Sequence, residues 1–160
     1  MIPRPDEAPR LAGRRGRRPS VELALGVAGD PSYLSLALSD WVNWPRAFPD
    51  TIEAVRPVAI GPDRVQLEVR HRAHGWVTNV LTIEHDGVMR LAESKPLYDA
   101  EFRFSPVRDG RAGLEVEARI WLKRGLGLFA VAAPPIVRSR MRRFLLEPLS
   151  ARAAELAANP

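Results

Sequence analysis

From residue 20 onward the chain sorts its apolar and polar side chains into two distinct rhythms. Val21, Leu23, Leu25 and Val27 are separated by Glu22, Ala24 and Gly26, the period of a strand with one buried face. Gly29 closes that segment. Asp30-Pro31 then reads as a helix N-cap followed by proline in the first turn. Tyr33, Leu34, Ala37, Leu38 and Trp41 recur at three- and four-residue steps and make one apolar helix face. Asn43-Trp44-Pro45 ends this helix, and residues 46–50 have room for one further short turn.

Beyond Thr51 the rhythm changes to strands divided by turn signals. Residues 52–60 form the first, closed by Gly61-Pro62-Asp63. Val65, Leu67, Val69 and His71 alternate with Gln66, Glu68, Arg70 and Arg72. A turn at His74-Gly75 leads into residues 76–85, and Asp86-Gly87 is a strong hairpin signal. Residues 88–97 and 99–107 follow, with a second hairpin turn at Asp109-Gly110. Leu114, Val116, Ala118, Ile120 and Leu122 then alternate with charged residues and Trp121, the cleanest strand in the chain. Tight turns between consecutive strands make them antiparallel, so six strands form a meander after the helices and one strand precedes them.

Gly125 and Gly127 lead out of the last strand. Past Pro134-Pro135, Val137, Met141, Phe144, Leu145, Leu149 and Leu156 return to helical spacing. Pro148 lies inside this helix and should bend it, because proline lacks an N–H and clashes with the preceding turn. The order predicts an α+β fold: a seven-stranded curved antiparallel sheet around a long C-terminal helix, with two short helices after the first strand. A curved sheet needs cover on its inner face, and one helix is only about 10 Å across. A hollow is therefore expected between them, walled by inward strand residues, and such apolar concavities are the usual small-molecule sites.

Composition narrows the picture further. A chain of 160 residues suits one domain. It has no cysteine, which removes a thiol nucleophile, a disulfide framework and thiolate metal ligands, and suits a reducing cytoplasm. No apolar run is long enough to span a membrane. Arg14-Arg15 is not followed by the apolar core of an export signal. The net charge of +5 is concentrated at the start, where residues 1–20 hold six arginines against Asp6 and Glu7. Residues 1–19 read as a flexible basic leader, and residues 20–158 as the domain. The nearly neutral body argues against specific nucleic-acid binding. The leader's expected role is at most a weak contact with an anionic membrane.

The order of elements, with Asp30-Pro31 to Trp41, Asn43-Trp44-Pro45, Phe48-Pro49-Asp50 and the terminal stripe from Val137 to Leu156, resembles the polyketide cyclase/dehydrase and lipid-transport superfamily. This START-like (SRPBCC) group has the helix-grip fold, and the resemblance covers about residues 20 to 158. It implies binding of a lipid, polyketide or quinone in the cavity, with cyclisation or dehydration catalysed there in a minority of members. The prolines at 134, 135 and 148 depart from the pattern.

Alternation assigns the candidate ligand contacts: Val69 and His71, Asn79 and Leu81, Phe102 and Phe104, and Ala118 and Ile120 from the strands, with Val137 and Met141 from the helix. Trp41, Trp44 and Phe48 are candidates at the cavity mouth, although such aromatics serve core packing equally well. His71 and Glu93 are the catalytic candidates, the histidine as a base and the glutamate as an acid with a raised pKa. The inward face of residues 88–97 is ambiguous, since Met89, Leu91, Glu93 and Lys95 compete with Val88 and Ala92. A lone strand-end histidine also serves as a satisfied structural residue. His71, His74 and His85 lack the spacing for a metal, and no phosphate-cradling glycine loop or G-x-S-x-G elbow occurs. No metal or cofactor is expected. The readings that follow are a binding or transfer protein for a small hydrophobic molecule, or a polyketide aromatase/cyclase or dehydratase.

Overall fold

In the computed structural model the described residues are 17–109, 111–123 and 132–160. Most of the basic leader and the glycines at 125 and 127 therefore lie outside the described residues, as does Gly110. Seven antiparallel strands form one sheet: β1 (Val21–Val27), β2 (Ile52–Ile60), β3 (Arg64–His71), β4 (Gly75–Ile83), β5 (Met89–Ser94), β6 (Tyr98–Pro106) and β7 (Leu114–Leu122). Their spatial order is β1-β7-β6-β5-β4-β3-β2. The meander from β2 to β7 thus closes against β1, and the register runs from Val21 opposite Ile120 to Val27 opposite Leu114.

The turns carry the residues their geometry demands. Asp86 and Gly87 adopt φ of 70° and 73°, the left-handed pair of the tight hairpin their sequence signals. Gly113 has φ of 137°, and a Cβ there would stand 2.5 Å from the Val27 carbonyl oxygen. Only glycine lets the chain entering β7 come so close to β1.

Between β1 and β2 lie α1 (Pro31–Ser39) and α2 (Trp44–Ala47), joined by a single 3-10 turn over Trp41–Asn43. Asp30 caps α1 by accepting from the Ser32 amide at 2.8 Å. The helix stops one turn short of the sequence pattern. Asn43 folds its amide back onto the Asp40 carboxylate at 2.8 Å, so Trp41 sits half-buried in the 3-10 turn and not on the α1 face. Trp44 is buried, with its indole N–H donated to the Leu38 carbonyl at 3.0 Å.

The C-terminal helix consists of α3 (Ala133–Met141), a π-helical turn (Arg142–Leu146) and α4 (Glu147–Ala158), a rod of 26 residues. The disturbance expected from Pro148 takes this form. Proline has no amide to offer the carbonyl one turn back, and immediately before it the Glu147 amide reaches the Arg142 carbonyl five residues earlier. The extra residue in the turn accommodates the proline.

The two halves of this rod do different work. In α4, Leu149 and Ala153 are buried, Ser150 donates to the Ala28 carbonyl at 3.0 Å, and Arg152 lies 3.6 Å from Asp40. These contacts fix α4 to α1 and the end of β1. In α3 only Met141 is buried.

The alternation in the strands holds closely. Leu67, Val69 and His71 face inward from β3, Val77, Asn79 and Leu81 from β4, and Ala100, Phe102 and Phe104 from β6. The ambiguity of the fifth strand is resolved, because Met89, Leu91 and Glu93 are buried while Arg90, Ala92 and Ser94 are half-buried. Ile83, whose spacing put it on the Asn79 face, ends β4 40% exposed. The outer face carries surface ion pairs such as Arg103–Glu117 and Arg119–Glu22, which contribute little individually. At one edge of the sheet, β2 is irregular, with register breaks between Ile52 and Ala54 and between Pro57 and Ala59.

Candidate functional site

A cavity of about 450 Å³ lies between the inner face of the sheet and the first half of the C-terminal helix. Phe102 and Ile120 line it from the sheet, Trp44 and Phe48 from the α2 region, and Val137 and Met141 from α3. Its origin is the expected one. The rod covers only part of a wider curved sheet, and the inward side chains at this end do not fill the difference.

Of the thirteen ligand-contact candidates, His71, Asn79, Trp44, Phe48, Phe102, Ile120, Val137 and Met141 are on the cavity wall. Val69, Leu81, Phe104 and Ala118 face inward as expected but sit in the packed core, off the wall. Trp41 is also off the wall, because α1 ends before it. An outer groove along Pro134, Arg138, Arg142 and Glu147 is open to solvent and bordered by exposed arginines; among the described residues no buried polar side chain lines it.

The cavity's polar groups gather at one end. Asn79 and Glu93 are opposed across β4 and β5, and Asn79 donates Nδ2 to the Val77 carbonyl at 3.2 Å. Two residues past Glu93 the alternation continues beyond the strand, which turns Lys95 to the same side. Its ammonium lies 3.0 Å from Glu93 Oε2 and donates to Tyr98 Oη at 3.1 Å. The turn that carries Lys95 and Tyr98 is pinned by its own bonds. Ser94 Oγ donates to Asp99 at 2.6 Å, and Lys123 Nζ donates to the Lys95 carbonyl at 2.6 Å. From the β3–β4 turn, His74 stands edge-on to Tyr98 and 6.3 Å from His71, centroid to centroid.

His71 is 6% exposed, and neither of its ring nitrogens has a hydrogen-bond partner among the described residues. It is therefore not the satisfied structural histidine that a strand-end position also allows. A buried polar group left unmade costs about 1–3 kcal/mol, so its persistence on a cavity wall marks a group that meets something in the cavity.

The electrostatics divide the cluster into one charged pair and two neutral rings. Burial lowers the His71 pKa to about 4, with Lys95 and His74 adding to the effect against the opposing pull of Glu93. Burial, then Lys95 and Arg140, hold His74 below its ordinary value too. For Glu93, burial works to raise the pKa, but the Lys95 cation beside it leads the opposing effects and the net shift is downward. Burial likewise works against the Lys95 cation, yet Glu93 and Tyr98 hold its pKa above the ordinary lysine value. The sequence expectation of a glutamic acid with a raised pKa is thus reversed. Glu93 is a carboxylate neutralised by Lys95, and it is not a proton donor near neutrality.

Lys95, Tyr98 and His74 are polar wall residues that sequence reasoning did not nominate as contacts. Lys95 had a signal, since it continues the Met89-Leu91-Glu93 spacing. Tyr98 reads as a turn residue in the sequence, but it opens β6 on the Ala100-Phe102-Phe104 spacing; His74 sits in a turn, where alternation assigns no face.

No family model matches the chain, and no curated protein matches it. Solved structures do. An aromatase/cyclase, Zhui, from Streptomyces sp. R1128 superposes with a TM-score of 0.61 at 16% identity, over 84% of this chain and 91% of that one. A protein from Thermus thermophilus gives 0.61 at 16% identity, over 88% of this chain and 99% of that one. A STAR-related lipid transfer protein from Xanthomonas axonopodis gives 0.51 at 13% identity, over 83% and 84%. The fold is therefore the helix-grip fold, a curved antiparallel sheet around a long C-terminal helix, as the order of elements implied. At these identities the likeness speaks to the fold alone.

Proposed function

We propose that the protein binds, and carries between sites, a small and mostly apolar molecule in this cavity, with the molecule's polar group against His71, Asn79 and the Lys95–Tyr98 side. The observation that carries the reading is His71 itself: a buried, unpartnered side chain on the wall of an otherwise largely apolar hollow. A volume of about 450 Å³ lies within the range of small-molecule sites. Among the described residues no helix is long and apolar enough to cross a membrane. With no cysteine in the chain, we place this role in the cytoplasm.

Extraction of the purified protein with organic solvent, followed by mass spectrometry, tests the reading, together with uptake of the lipophilic dye Nile red. A recovered apolar compound or saturable dye uptake is the expected result. Repeated recovery of nothing, with no dye uptake, overturns it.

The second reading is a cyclase or dehydratase acting on a polyketide-like substrate. What favours it is the neutral imidazole of His71 beside the charged Glu93–Lys95 pair, and one structure similar to this chain is an aromatase/cyclase by name. In this reading His71 takes a proton next to a carbonyl, and the Lys95 ammonium and Asn79 orient the oxygen on which charge develops. Alanine replacements of His71 and Glu93 separate the two readings. Turnover unchanged by both removes the enzyme reading, whereas loss of turnover with binding retained supports it.

A further inference from the structure

The polar end of the cavity also specifies what kind of polar group the bound molecule brings, an inference that rests on the binding reading above. We propose that the guest presents an uncharged hydroxyl to His71, and that the cavity rejects the same carbon skeleton when it carries a carboxylate in the hydroxyl's place.

The argument starts from what His71 lacks. Neither ring nitrogen has a partner among the described residues, and a neutral imidazole has one N–H to give and one lone pair to fill. A carboxylate or ketone oxygen only accepts, so it can meet the N–H and never the lone pair. A hydroxyl can meet whichever nitrogen faces the guest, donating to the lone pair or accepting from the N–H.

Charge gives the second half. Lys95 is the cation nearest the buried end, and its ammonium is already engaged by Glu93 at 3.0 Å and Tyr98 at 3.1 Å. A guest carboxylate would enter beside the Glu93 anion, and among the described residues the one largely buried cation there, Lys95, already has its charge balanced by Glu93; a second buried anion is strongly unfavourable. His71 does not supply that charge, because burial keeps its ring neutral. Arg72 and Arg140 also border the cavity, but both are exposed. Arg72 is tied to the Pro49 carbonyl at 2.8 Å and Arg140 lies over the Phe144 ring at 5.4 Å. The Arg140 charge reaches His74, but both guanidinium groups are exposed and water screens them.

Competition of 2-naphthol, naphthalene-2-carboxylate and naphthalene against Nile red, on the full chain at neutral pH, tests the proposal. An aromatic hydroxyl stays protonated there, as tyrosine does. The expected order has 2-naphthol binding about tenfold more tightly than the carboxylate and several-fold more tightly than naphthalene. In His71→Phe the advantage of 2-naphthol over naphthalene disappears while naphthalene itself still binds. His71→Gln, which keeps a donor and an acceptor, retains part of it. A carboxylate that binds as tightly as 2-naphthol in the natural protein overturns the proposal without recourse to any variant, and so does a hydroxyl preference that survives His71→Phe. If Nile red is not taken up and none of the three compounds is bound, the binding reading has failed, a result distinct from a reversed order among bound compounds.

Discussion

The Lys95 ammonium stands 3.0 Å from the Glu93 carboxylate, and both side chains are almost withdrawn from water. They come from alternate positions of one segment, and each holds the other in its charged form. Neither charge is tolerable alone. Replacing Lys95 with methionine leaves a buried anion and is expected to cost about 3–5 kcal/mol of stability. The double replacement Lys95→Met with Glu93→Leu should recover most of that loss. Urea unfolding of the two variants measures the difference, and a double variant no better than the single one would contradict the pairing.

Acid should expose His71. Its pKa falls from 6.5 unfolded to about 4 folded, so between those values the unfolded chain takes up a proton that the folded protein refuses. Stability therefore declines as pH falls through that window, by about 3 kcal/mol in full from this one group, and the group adds no slope above it. His71→Gln removes this share of the decline, although His74, shifted in the same direction, keeps its own. Unfolding free energies of both proteins at about pH 7 and about pH 4.5 give the comparison; parallel losses would refute the assignment.

Filling the cavity should separate binding from folding. Val137 lines it from α3 and is half-buried. Val137→Trp extends a ring into open space and is expected to weaken Nile red binding about tenfold or more, at a stability cost near ~1 kcal/mol. Undiminished dye binding would mean that the dye sits elsewhere.

Gly113 and Gly26 provide an internal control for close approach. Gly113→Ala places a methyl against the Val27 carbonyl at a positive φ and should cost about 3 kcal/mol. At Gly26 nothing lies within 4 Å of an added Cβ, so alanine there is expected to be neutral or mildly stabilising, by up to about 1 kcal/mol. Equal thermal midpoints for the two variants would contradict this account.

Much of this molecule was readable from residue spacing, for identifiable reasons. The alternation of β7 and the run Val65-Leu67-Val69-His71 fix faces because one side of the sheet must be covered. What spacing does not carry is the company a side chain keeps. That the nitrogens of His71 have no partner among the described residues depends on the turn holding His74 and on Lys95 being already engaged, which are tertiary facts. Glu93 was assigned the wrong direction of pKa shift for the same reason: burial alone raises it, and the neighbour that lowers it stood on a strand whose face was ambiguous. Trp41 fitted the helical step from Leu34, Ala37 and Leu38, but the Asn43–Asp40 bond belongs to a local turn that periodicity does not register. Pro148 announced a disturbance without its form. A bend was the general expectation, and the backbone answered with one additional residue in the turn ahead of it.

The irregular rim of β2 has a consequence for how the molecule behaves in company. A regular border strand offers its spare amides and carbonyls to any passing chain, and copies can then knit into a continuous ribbon. Here Pro57 removes one donor, and two breaks in step spoil the even ladder such stitching needs. Val58 and Ile60 stay exposed on this rim with little risk of polymerisation. The same proline and breaks that loosen this edge thus make it a poor template for a strand from another chain.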